Sequence, residues 1–197
     1  MIPTLLNNRY RVLETLGSGG FGDTYLAEDT HLPSGRSCVI KRLKPFADRP
    51  QVYQMMQERF AREAAILEEL GEGSDRIPKL YAYFVEGEHF YLVQELIEGV
   101  ILTHKLQLEG LLCERFVRDI LTDSLPVLDY IHGKGIIHRD IKPSNIIYRH
   151  KDNKPVLNDC GIAKESITPN LDNGSSVNNN NTIVIGTPSF MPPEQAA

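Results

Sequence analysis

The chain has only three cysteines and no excess of positive charge, and each shortage closes off a class of protein. Cys38, Cys113 and Cys160 are far apart, odd in number and in no CxxC spacing. Neither a disulfide framework nor a zinc site is expected, and a reducing cytoplasmic setting fits. Lys and Arg total 21 against 26 Asp and Glu, for a formal net charge of -5. No clustered basic face is visible, so nucleic acid is not an expected partner. No window approaches the roughly 20 apolar residues that a bilayer span requires, and the amino terminus lacks the layout of a signal peptide. With 197 residues and 41% hydrophobic content, the chain is still able to bury a core, as one domain or two small lobes.

Turn residues and periodicity divide the chain. Short β-like runs at Tyr10 to Leu16, Thr24 to Glu28 and Arg36 to Leu43 are broken by glycine clusters and read as a meander. Residues 48 to 70 switch to helical period, with Asp48 and Pro50 as start signals and Gly71 as the stop. Two more strands, Leu80 to Val85 and Phe90 to Gln94, flank the turn Glu86-Gly87-Glu88. Five strands and one helix thus make a first lobe over 1–94, followed by a linker at 95–99. The second part, 100–197, opens with a helix from about Cys113 to His132 that Pro126 is expected to bend. Short strands follow at about Ile146 to Tyr148 and Val156 to Asn158, and after Lys164 the composition turns to Ser, Asn, Thr and Gly, as in a surface loop. The fold class is α+β.

Three constellations carry chemistry. Gly17-Ser18-Gly19-Gly20-Phe21-Gly22 matches G-x-G-x-x-G, but Asp23 to Glu28 reads as a returning strand, so the glycines belong to a β-hairpin flap and not to a strand-to-helix dinucleotide loop. Such a flap lets backbone amides approach phosphates, and it also suits a plain flexible hairpin. Lys41 shares a strand face with Val39, where it is either a strand-end lysine reaching water or the partner of an anion. Glu63 falls inside the stripe Met56, Phe60, Leu67 and Leu70, where a carboxylate is costly unless paired, and Lys41 is the expected cation. The third constellation, His138-Arg139-Asp140-Ile141-Lys142-Pro143-Ser144-Asn145, sets an acid, two cations and an amide at fixed offsets in one turn. That set suits holding a hydroxyl beside a metal-bound phosphate.

Together these motifs resemble a eukaryotic-like serine/threonine protein kinase of the kind also found in bacteria, from about Tyr10 to the end of the chain. The resemblance implies a complete five-stranded amino-terminal lobe with one helix and a partial, mainly helical carboxy-terminal lobe. It implies ATP and Mg2+ as cofactors and protein Ser/Thr hydroxyls as acceptors. Leu16, Thr24, Val39 and Ile147 would enclose the base beneath the flap residues 17–22, and Glu95 and Leu96 would present backbone to adenine, with Gln94 as an unusually polar gatekeeper. Lys41, held by Glu63, would contact the α- and β-phosphates. Asp140 would orient the substrate hydroxyl, Lys142 would neutralise the transferring phosphoryl group, and Asn145 and Asp159 would ligate magnesium. Arg139 before Asp140 implies switching by phosphorylation, with Thr182 the first candidate and Ser175 and Ser176 behind it.

The chain also departs from the family pattern. Asp159-Cys160-Gly161 replaces Asp-Phe-Gly, and loss of a buried aromatic there costs about 3 kcal/mol if Leu67, Leu80 and His138 cannot fill the gap. Pro192-Pro193-Glu194 stands for Ala-Pro-Glu. Phe116, Val117, Ile120, Leu121, Leu125, Val127, Leu128 and Ile131 make the second helix apolar around much of its girth, so cover from a partner or from a missing carboxy-terminal segment is expected. Two readings follow: an ATP-dependent kinase with an incomplete catalytic domain, or a weakly active or inactive nucleotide-binding or interaction module.

Overall fold

A computed structural model describes residues 5–19, 22–43, 50–159 and 188–190. The fold is α+β. Its first part is an antiparallel sheet of β1 (Leu5–Leu6), β2 (Tyr10–Gly19), β3 (Gly22–Asp29), β4 (Arg36–Leu43), β5 (Leu80–Glu86) and β6 (His89–Glu95). The strand order is β1-β2-β3-β4-β6-β5, so the expected five strands are six. The extra strand is two residues long, too short to show alternation, and is held by pairing Leu6 with Tyr10. The helix α1 (Pro50–Gly73) lies between β4 and β5 and runs past Gly71, while Asp48 lies outside the described residues.

Alternation along the strands assigns the two faces of the sheet. Tyr25, Ala27, Cys38, Ile40, Tyr91 and Val93 make one core, in which burial pushes the Cys38 thiol up to about 11. The opposite positions, Leu43, Phe90 and Leu92, pack on Met56, Phe60, Ala64 and Leu67 of α1, as the apolar stripe of that helix requires. Lys41 pairs in register with Leu92, and Val39 with Gln94. All four therefore share the face that looks toward α1 and the rest of the molecule.

After residues 96–98, which have no regular structure, come β7 (Gly99–Ile101), α2 (Leu102–Glu109), α3 (Glu114–Gly133), a 3-10 turn (Pro143–Asn145), β8 (Ile146–Arg149) and β9 (Lys154–Leu157). β7 and α2 are short, and neither carries a clear signal in the sequence. The three strands form a second antiparallel sheet in the order β7-β8-β9. Leu70 and Ile77, at the end of α1 and just beyond it, are buried with Ile120, Val127 and Ile131 of α3 and with Ile146 and Leu157. The opposite side of α3 leaves Leu121 57% and Leu125 61% exposed, as its all-round apolarity predicts. No helix among the described residues is long and apolar enough to cross a membrane.

The segment between α1 and β5 is bound to the second sheet by polar contacts. The Leu157 amide donates to the Arg76 carbonyl at 2.8 Å. The buried Arg149 guanidinium donates to the Asp75 carbonyl at 2.6 Å and to both the Asp75 and Asp152 carboxylates. Bonding to Arg149 holds the Asp152 carboxyl down at about 2. A carboxyl with a depressed folded-state pKa adds stability above its unfolded value near 3.9, and that stability disappears as pH falls through about 2. Arg149→Met is expected to cost about 2 kcal/mol at pH 7, and the deficit relative to wild type should shrink between about pH 4 and pH 2. Urea denaturation across that range checks both statements.

Candidate active site

A cavity of about 320 Å³ opens beneath the first sheet, between it and the turn that precedes β8. From the sheet, its wall takes Leu16, Gly17, Thr24, Val39, Lys41, Gln94 and Glu95, and then Leu96 from the connecting segment. Across the gap it takes Asn145, Ile147 and Asp159. All of these were expected at a nucleotide site. Ser18, Gly19 and Gly22 belong to the flap but do not line the wall, and Gly20 and Phe21 lie outside the described residues.

The flap needs glycine at one end for a local steric reason. Gly22 has φ +142, and a Cβ there would overlap the Arg42 carbonyl on the neighbouring strand. Beside it Asp23 accepts from Ser18 across the hairpin and from Arg42, which together hold its carboxyl below the usual range. The hairpin β2–β3 is thereby fastened to β4 next to the cavity.

Beneath the flap, the loop from His138 to Asn145 is built around one buried amide. Pro143 opens the 3-10 turn with its fixed φ, and the turn swings Asn145 inward until only 5% of it is exposed. The Asn145 side-chain NH2 then donates to the Asp140 carbonyl at 2.7 Å and to Asp140 Oδ2 at 3.0 Å. Lys142 Nζ lies 3.0 Å from the same Oδ2. Asp140 is 3% exposed, so this carboxylate is oriented by an amide and a cation in a site largely free of water. His138, behind it, is buried, and burial lowers its pKa despite the opposing carboxylates Asp159 and Asp140. Arg139 sits at φ +60 and Asp159 at φ +59, left-handed conformations on either side of the site.

The contacts of Lys41 differ from expectation. Lys41 is 9% exposed as a residue, and its ammonium donates to Asn158 Oδ1 at 3.0 Å and lies 3.4 Å from Asp159 Oδ1. Among the described residues no ion pair joins Lys41 to Glu63. Glu63 is partly buried on α1, as its place in the stripe requires, yet the carboxylate that reaches Lys41 belongs to Asp159, two residues after β9. Helical and strand periodicity place each residue on a face but do not fix the distance between two elements.

Asn158 itself went unrecognised in the sequence, where an asparagine at a strand end reads as an ordinary turn residue. Its backbone amide donates to the Asn145 carbonyl at 2.8 Å, so it joins the lysine of the sheet to the turn below. Pro78, Ile97, Gly99, Ile101 and Ser144 also line the cavity without having been singled out. Cys160, Gly161, Ser175, Ser176, Thr182 and Pro192-Pro193-Glu194 lie outside the described residues.

Residues 10–196 match the protein kinase domain family. The chain belongs to that family. It is 60% identical over 98% of its length to serine/threonine-protein kinase PknA of Nostoc sp. strain PCC 7120, and covers 34% of that protein. It is 54% identical, again over 98% of its length, to serine/threonine-protein kinase C of Synechocystis sp. strain PCC 6803, and covers 36% of it. The chain thus spans about a third of the length of these curated relatives. Among solved structures it is similar to Rad53 1–466 in complex with AMP-PNP, with a TM-score of 0.67 and 25% identity, covering 79% of this chain and 39% of that one.

Within this kinase fold, Asn145→Ala removes the donor that serves both the carbonyl and the carboxylate of Asp140. A loss of about 1–2 kcal/mol in urea denaturation is expected, together with faster amide hydrogen exchange in the 138–145 loop.

Proposed function

We propose that this chain carries the catalytic groups of an ATP-dependent serine/threonine protein kinase, which moves the γ-phosphoryl group of ATP to protein Ser and Thr hydroxyls. The observation that carries this reading is the Asp140 carboxylate, oriented by Asn145 and Lys142 next to a cavity whose wall takes Asn145, Lys41 and Asp159. Phosphoryl transfer passes through a loose transition state whose charge is spread over phosphoryl oxygens. It therefore needs cations, positioning and a modest acceptor for the hydroxyl proton rather than a strong nucleophile. Asp140 would accept the hydrogen bond of the incoming hydroxyl, Lys142 would sit against the transferring group, and Lys41 would face the α- and β-phosphates.

The donor set suits magnesium. The NH2 of Asn145 is committed to Asp140, which leaves its Oδ1 as a hard oxygen ligand, and Asp159 supplies a carboxylate on the same wall. Among the described residues no group of three or more His, Cys, Asp or Glu forms a metal cluster. A site of one amide and one carboxylate fits an ion that keeps waters and takes the rest of its ligands from phosphates. When bound, Mg2+ supplies positive charge to the phosphate oxygens. The presence of AMP-PNP in a protein of similar fold supports a nucleotide ligand for this chain. A cytoplasmic setting fits the buried, reduced Cys38.

A second reading is a nucleotide-binding module with little turnover. It draws on the Lys41–Asp159 contact in place of a Lys41–Glu63 pair, and on the open apolar side of α3. Transfer of label from γ-labelled ATP to a generic protein substrate, measured for wild type and Asp140→Asn, separates the two readings. Kinase function requires a wild-type signal that falls at least about a hundredfold in the variant, with ATP binding retained. Binding without any Asp140-dependent transfer supports the module, and Lys41→Met is expected to weaken ATP binding under either reading.

A further inference from the structure

Asn158 directly follows β9 and lines the cavity beside Asp159. Its backbone is held on both sides. The Leu157 amide donates to the Arg76 carbonyl at 2.8 Å, and the amide of Asn158 donates to the Asn145 carbonyl at 2.8 Å. From that anchored backbone the side chain reaches Lys41, whose Nζ donates to Asn158 Oδ1 at 3.0 Å. Lys41 has a second partner in Asp159 Oδ1, at the longer distance of 3.4 Å. The two partners differ in what they do to the lysine. A carboxylate offsets the charge of an ammonium, and it is also a hard oxygen ligand for which a divalent cation competes. An amide carbonyl occupies one of the three ammonium donors and leaves the positive charge whole.

We infer that Asn158 is a positioning residue for Lys41, a neutral partner that holds the ammonium at the cavity wall while leaving its charge available to the phosphates of a nucleotide. This rests on the nucleotide-binding reading above. In that reading Asp159 serves magnesium, so its contact with Lys41 is lost at the moment when the lysine is needed. Asn158 remains. A lysine side chain is rich in rotamers, and fixing its end before the ligand arrives removes part of the ordering cost of binding. The position is also set relative to the acid of the loop, because the residue that bonds the Asn158 amide, Asn145, is the one whose side chain holds Asp140. An aspartate at 158 would hold the same ammonium but cancel its charge, and an apolar residue would leave it to Asp159 alone.

The test measures equilibrium binding of ATP and of adenosine, which lacks the phosphates, to the 197-residue chain and to Asn158→Ala, each with Mg2+ and with a chelator. With Mg2+ the substitution is expected to weaken ATP binding about tenfold and to change adenosine binding by less than about twofold. With the chelator the loss for ATP should be smaller, since Asp159 then stays on Lys41. In a Lys41→Met background the same substitution should change ATP binding by less than about twofold, because the group that Asn158 positions is gone. An equal loss for ATP and adenosine overturns the inference and marks Asn158 as packing only. Undiminished ATP binding in Asn158→Ala, an equal loss with and without Mg2+, or a loss that persists in Lys41→Met also overturns it. If Asn158→Ala does not fold, Asn158→Leu, which keeps the shape and removes the acceptor, takes its place. Failure of wild type to bind ATP at all would instead remove the nucleotide-binding reading, and this inference with it.

Discussion

The site depends on the two hydrogen bonds that the buried Asn145 amide gives to Asp140. One goes to the backbone carbonyl and fixes the course of the loop, and the other goes to the carboxylate and fixes its direction. The Asn145 carbonyl in turn accepts from the Asn158 amide, and the Asn158 side chain accepts from Lys41. A continuous run of hydrogen bonds therefore joins a lysine of the first sheet to the acid of the loop below, with Lys142 closing the far end. Each member is short, buried or partly buried, and held at both ends, which gives geometric precision at little entropic cost.

The sheet serves this arrangement through its parity. Strand period two sends Val39, Lys41, Leu92 and Gln94 to the same side, and that side also receives the apolar stripe of α1. The lysine and the glutamine are thus buried by the packing that stabilises the lobe. The lower part is tied on by the shared core of Leu70, Ile77, Ile131 and Leu157 and by the Arg149 clamp on the segment after α1.

Long periodic or chemically constrained segments were legible in the sequence. The paired strands, both long helices, the flap and the loop from His138 to Asn145 all follow from alternation, glycine placement and residue spacing. Elements of two or three residues, such as Leu5–Leu6 and Gly99–Ile101, have no pattern to read and exist because a neighbouring strand offers its edge. The eight-residue α2 lacks a side-chain cap and a strong apolar stripe, so its position comes from packing. The pairing of Lys41 was misjudged for the same reason: two residues on correct faces still meet only if their elements lie close enough. Asn158 carried no sequence signal beyond standing next to Asp159.

Hydrogen–deuterium exchange of the purified chain, with and without ATP and Mg2+, tests most directly whether this cavity is the nucleotide site. Protection is expected in the flap at 16–19, in 39–41, in 94–97 and in 140–147, with α3 unchanged. No ligand-dependent protection in these segments, or protection confined to the exposed side of α3, would contradict it.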